Sequence, residues 1–133
     1  MANEATKLFD ESSGDGTIIQ DFTVADGTGI SKGSVLKLTD PRTAAQSDGA
    51  GDVIAGIAAR DKVANDGRTQ LSVYKKGYFQ MTASGSITIG EAVKSSGADN
   101  KVATDSSVTG AANMGYAQES ASDGETFELR LDL

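Results

Sequence analysis

The sequence predicts an all-β chain. Three observations carry that expectation. Five Asp-Gly pairs punctuate it, at Asp15-Gly16, Asp26-Gly27, Asp48-Gly49, Asp66-Gly67 and Asp123-Gly124. Asp-Gly suits tight turns, because Gly takes positive φ freely and Asp bonds nearby backbone. Between the turns lie short runs whose apolar residues alternate, as in Q-L-S-V-Y with Leu71 and Val73, or F-E-L-R-L with Phe127, Leu129 and Leu131. Residues two apart share a strand face, so each run has one face for a core. No stretch supports a three-turn helix. Thr43–Gln46 is the best seed, and Ser47-Asp48-Gly49 stops it.

In chain order the first segment, residues 1–16, reads as a flexible N-terminal arm. It holds few apolar residues, Leu8 and Phe9 being the large ones, and ends in E-S-S-G-D-G. Such a segment buries too little surface to order itself alone. It is either a frayed terminus or an arm that orders on a partner with Leu8 and Phe9 as anchors. Residues 17–133 then form a single β domain. Its expected strands are Ile18–Val24, Ser34–Leu38, Val53–Ala59, Thr69–Tyr74, Tyr78–Thr82, Glu91–Lys94, Met114–Gln118 and Thr126–Leu131. Lys75-Lys76-Gly77 is expected at or near the tip of a hairpin.

The domain repeats a pattern. I-S-K-G-S-V-L-K begins at Ile30 and I-T-I-G-E-A-V-K at Ile87, 57 residues later. P-R-T-A at 41–44 sits over N-K-V-A at 100–103, and A-G-I-A at 55–58 over M-G-Y-A at 114–117, both at an offset of 59. D-G-R-T at 66–69 over D-G-E-T at 123–126 restores 57. Two residues therefore enter around Ser95–Asp99 and leave before Asp123. The repeat spans about 30–74 and 87–131. Each half is expected to be too small to close its own core, and the two together to form one small barrel or sandwich of two related halves. Gly33, Gly90, Gly56 and Gly115 are the expected structural-turn glycines, the last two within the matched Gly-apolar-Ala lines.

Composition narrows the chemistry. Twelve basic against nineteen acidic residues leave a net charge of −7, which argues against a nucleic-acid partner or an anionic membrane surface. Hydrophobic residues make up 38% and aromatics 5%, so Val, Ile, Leu and Ala must build the core. Cys and His are both absent, which removes Ser-His-Asp and Cys-His catalysis and zinc sites of the usual ligands. Ser72-Val73-Tyr74-Lys75 matches Ser-x-x-Lys literally, but that motif needs a helix, where residues three apart face each other. A calcium loop starting at Glu11 fails at its twelfth position, Phe22, where a bidentate Glu is required. Asp48 and Asp52 flank a Gly-rich loop whose ordinary reading is a solvated turn. No phosphate-binding glycine motif occurs. The polar N-terminus is no signal peptide, and no run approaches the length of a membrane span, so a soluble chain is expected. No catalytic, cofactor or metal residue is assigned.

The stretch 55–81 resembles a phage head decoration protein, the capsid cement or stabilisation class, with the lambda type as the nearest kind. Gly56-Ile57-Ala58, the Thr69–Tyr74 strand and Y-K-K-G-Y-F at 74–79 carry the likeness. The I-x-x-G-x-x-V lines and the closing G-Y-A-Q-E-S are similar to a wider class of small capsid-accessory proteins. The resemblance implies a non-enzymatic virion component on the exterior of the phage head, made in the host cytoplasm during assembly. It implies the major capsid protein as partner, self-association as a homotrimer, and bridging of capsomers that stabilises the expanded head. A tail or baseplate β module, or another virion structural component, is the alternative. In such proteins the N-terminal segment commonly touches the capsid, which would give Leu8, Phe9, Ile18 and Ile19 that role. This chain departs from the lambda type in its second copy and its near-absence of prolines.

Overall fold

The structure, a computed structural model, describes residues 3–9, 19–107 and 110–133. The described residues are all-β, with one 3-10 turn at Gly110–Ala112. The strands are β1 (Thr6–Phe9), β2 (Ile19–Thr23), β3 (Val35–Asp40), β4 (Thr43–Gln46), β5 (Ile54–Ala58) and β6 (Gln70–Tyr74). Then follow β7 (Lys76–Thr82), β8 (Ala92–Ser95), β9 (Val102–Thr104), β10 (Gly115–Ala117) and β11 (Thr126–Asp132).

The first half closes a barrel in the order β2-β4-β3-β5-β6. Closure is a single parallel bridge, Thr23 to Thr43, in an otherwise antiparallel unit. The second half forms a sheet ordered β1-β7-β11-β10-β8-β9. Without β1, this order matches the first barrel strand for strand: β7 stands for β2, β11 for β6, β10 for β5, β8 for β3 and β9 for β4. The parallel bridge Ala83 to Val102, one residue further along its strand, takes the place of Thr23 to Thr43. The fold is thus built from two related halves, each curled about its own axis.

The repeated lines have the same geometry in both halves. Ile30 exchanges two backbone bonds with Lys62, and Ile87 does the same with Ala121. Gly33 N donates to Ala58 O at 2.9 Å, and Gly90 N to Ala117 O at 2.8 Å. Their φ angles are 89° and 87°, the left-handed region that glycine occupies without a Cβ penalty. Ile30 and Ile87 are both buried beneath these turns.

Contrary to the expectation that neither half closes a core, the first barrel encloses Phe22, Val24, Ile30, Leu36, Ala44, Ala55, Ala58, Leu71 and Val73. Small residues make this possible, because a narrow barrel has room for alanines where a sandwich would need leucines. The second core holds Phe79, Met81, Met114, Phe127, Leu129 and Leu131, and also recruits Val35, Ile54 and Ile57 from the first barrel. Strand β5 therefore faces two cores, and all five of its residues are buried. Consecutive residues Leu36 and Lys37 of β3 pair with Gly56 and Ile54, which makes Ala55 the extra residue of a bulge in β5. The bulge puts Ile54 and Ile57, three apart, on one side, and Ala55 and Ala58 on the other.

Three expectations need correction. Thr43–Gln46 is strand β4, not a helical seed, because pairing with β3 fixes a segment that local propensity leaves open. Two short strands, β1 and β9, lie outside the expected set. Lys75-Lys76-Gly77 is no hairpin tip. Strands β6 and β7 do not pair; β6 pairs with β2 and β5, while β7 pairs with β1 and β11. Lys75 is the one-residue crossing between the halves, with its ammonium 5.3 Å from the Phe22 ring centroid.

Candidate functional site

The N-terminal segment is the feature that breaks the symmetry of the two halves. Thr6, Lys7 and Phe9 pair with Gln80, Phe79 and Tyr78, so β1 covers the outer edge of β7. Ahead of it, Ala5 N donates to Gly33 O at 2.7 Å. Asn3 Nδ2 donates to Asp99 O at 2.9 Å. Asn100 then ties three parts together. Its Nδ2 donates to Asn3 O at 2.9 Å and to Gly33 O at 3.0 Å, and its Oδ1 accepts from Val35 N at 2.7 Å. The residue is buried, so these bonds act away from competing water.

The repeated glycine turns diverge here. A Cβ at Gly33 would stand 2.5 Å from Ala5 O and 2.7 Å from Ala5 N, whereas one at Gly90 would meet nothing within 4 Å. The same corner is a dock for the N-terminal segment in one half and open in the other. Gly56 and Gly115, expected as turn glycines, lie instead in strands β5 and β10 at φ 150° and 138°, where a Cβ would run into the paired strand at Tyr74 O and Arg130 O respectively.

Of the expected capsid-contact residues, Leu8 is 42% exposed on β1. Phe9 and Ile19 are placed by their backbones, opposite Tyr78 and Tyr74. Ile18 lies outside the described residues, as do 10–17. The structure brings Leu8 to the surface of an ordered strand beside Lys7, whose ammonium lies 5.0 Å from the Tyr74 ring centroid. Asn3 and Asn100 were not singled out from sequence. The available signal was the two-residue insertion that shifts the repeat offset: Asp99 and Asn100 sit in that loop, both at positive φ.

The acidic loops are occupied by their own bonds. Asp52 Oδ2 accepts from Ser47 Oγ, Asp48 N and Gly49 N at 2.9, 3.1 and 2.9 Å. Burial pushes its carboxyl up, yet these bonds hold it below the usual range. Lys37 Nζ donates to Asp48 Oδ1 at 2.7 Å, and that bond raises the lysine. Among the described residues no three Asp, Glu, His or Cys form a metal-holding group. Ser72 Oγ of the Ser-x-x-Lys match donates to Asp21 Oδ1 at 3.0 Å on the exposed side of β2.

Lys62 is the one buried lysine among the described residues. Its Nζ donates to Asp26 O, Asp26 Oδ1, Val63 O and Asp66 Oδ1 between 2.8 and 3.1 Å. Burial alone would lower it, but the bonds to Asp66 and Asp26 outweigh that and raise it. Asp66, held by Lys62 and by Arg68 N, falls to about 2. This is a clamp across one end of the first barrel. Ala121 takes its place in the second, with Gly85 N donating to Asp123 Oδ1 nearby.

No curated protein matches the chain. Among solved structures it is similar to the head fiber gp8.5 N base of bacteriophage phi29, at 19% identity and a TM-score of 0.58, covering 86% of this chain and 95% of that one. That likeness is one of fold. The sequence itself matches the phage cement protein family over residues 14–133. With the barrel and nearly all of the six-stranded sheet inside that match, the chain belongs to the phage cement protein family, structural proteins of the virion that bind its capsid.

Proposed function

We propose that the protein binds the outer surface of a phage head and stabilises the expanded shell by bridging neighbouring capsomers, as a homotrimer. The family match over residues 14–133 carries this reading. The site supports it physically. Exposed Leu8 stands on a strand anchored to both halves, so an apolar contact can form there without first ordering the segment that bears it. A scaffold of a closed barrel fused to a six-stranded sheet through a shared core suits a clamp that must stay rigid under load.

The test is to add purified protein to heads that lack it, count bound copies, and heat decorated and bare heads together. Saturable binding and a raised rupture temperature are expected; heads that neither bind the protein nor gain resistance would sink the proposal. Leu8→Ser should weaken binding by about 1 kcal/mol, roughly fivefold, since it removes part of a buried leucine's transfer free energy. Light scattering on the free protein decides the trimer, and a strict monomer would remove that part.

A further inference from the structure

The two halves are matched strand for strand, so an edge covered in one and, among the described residues, uncovered in the other stands out. Strand β7 pairs with β11 on one side, and its outward groups at Gln80 and Tyr78 face β1. Its counterpart β2 pairs with β6 on one side over all five residues. On the other side, among the described residues, β2 pairs only at Thr23, where Thr23 N donates to Arg42 O at 2.7 Å. Backbone groups alternate in direction along a strand. Val24 N donates inward to Thr69 O, so the amide and carbonyl of Asp21 point the same way as those of Thr23, outward. Asp21 is exposed. Matching Thr23 with Thr82 sets Asp21 at the place of Gln80, which β1 covers in the second half.

We propose that this edge of β2 accepts an extended strand of the capsid shell protein, added beside Asp21 as β1 is added beside Gln80. The inference rests on the capsid-binding reading above. Three observations favour that occupant. Each chain has one T-K-L-F segment, and it is already engaged on β7, so a neighbouring copy cannot lend that segment without baring its own edge. Pairing of the edge with itself about a two-fold axis sets Asp21 opposite Asp21 or opposite Ile19, and neither pair is favourable. Asp21 is the one charge on β2, in a chain of net charge −7. An incoming strand with Lys or Arg opposite Asp21 is therefore matched, while an acidic one is repelled. Nothing else on I-Q-D-F-T guards the edge: it has no proline and no lysine.

Amide hydrogen exchange on the full chain, free and bound to heads that lack it, tests this. In the free protein the Asp21 amide should exchange fast and the Gln80 amide slowly. On heads, Asp21 should slow by about tenfold or more. Protection of Asp21 in dilute free protein would mean that the chain's own residues fill the edge. Protection that appears only as free protein is concentrated would mean a second copy does. Either result overturns the inference, as does fast exchange of Asp21 on decorated heads. Asp21→Pro gives a second readout. It removes an outward amide while the ladder to β6 uses Gln20 and Phe22, a position where strands accept proline. The variant should keep its melting midpoint and lose about tenfold or more in head affinity; a folded variant that binds like the parent overturns the inference. If the parent chain itself fails to bind heads, the capsid-binding reading falls first, a result distinct from a parent that binds and an Asp21→Pro variant that binds equally.

Discussion

Gly33 and Gly90 are the same letter in the same line, yet their surroundings separate their roles. Replacing Gly90 by Ala should cost about 1–2 kcal/mol, the penalty for a Cβ in the left-handed region, because its turn opens onto empty space. Replacing Gly33 should cost more and also free Ala5, whose N and O occupy the space the methyl needs. Urea denaturation of both variants, with exchange at the Ala5 amide, checks the pair; equal costs and an undisturbed Ala5 would refute it. Lys62 and Asp66 give a pH signature. Asp66 has a folded value of about 2 against 3.8 unfolded, so its contribution is fully present above about pH 4 and is lost as pH falls through 2. The stability gap between the parent and Asp66→Asn should be flat near neutrality and close towards pH 2. Lys62, raised, contributes below its ordinary 10.5 and loses that contribution only at higher pH, so it leaves the acid limb unchanged.

Among the strands, legibility followed the strength of alternation. Gln70–Tyr74 and Thr126–Asp132 alternate buried with less buried residues and were readable to within a residue. T-A-A-Q of β4 carries only one fully buried residue, Ala44, so its pattern is silent. V-A-T of β9 is three residues long, too short to show a period. T-K-L-F of β1 lies on an edge whose described side chains, Thr6, Lys7 and Leu8, are exposed. It is held by backbone pairing, which leaves no hydrophobic mark. The role of β1 as a cover can be checked by deleting residues 1–9. The loss bares β7 at Tyr78–Gln80, and an uncovered edge is a template for another chain. The truncated protein should self-associate beyond the parent's state in light scattering; an unchanged size would show that the edge needs no cover.

Across the whole molecule, the barrel and the six-stranded sheet are joined by a shared core and by Asn100. Val35, Ile54 and Ile57 leave the barrel wall to enter the sheet's core. Asn100 closes the same seam with three hydrogen bonds. One cooperative thermal transition is therefore expected for the chain. Asn100→Ala leaves the Val35 amide without its acceptor and should cost about 1–3 kcal/mol. It should also broaden the transition as the halves begin to melt apart. A calorimetric trace with two peaks in the parent would contradict this account of the seam.

The all-β class, the matched halves and the turn glycines could be read along the chain because each rests on near neighbours: period-two alternation, Asp-Gly turns, and a glycine two residues before an apolar strand start. The partner class was legible as a resemblance in short motifs around Gly56 and Tyr74. Other features could not be read that way. Whether Gly33 is a dock depends on Ala5, whether β5 faces one core or two depends on a bulge against β3, and whether Lys75 tips a hairpin depends on partners far off in sequence. The edge of β2 is the clearest case. Asp21 and Gln80 occupy matched positions, and among the described residues what distinguishes them is the presence of β1 beside Gln80 and of no strand on the matching side of Asp21. An edge is a relation between strands, set when the chain closes on itself, and no local pattern of side chains records it.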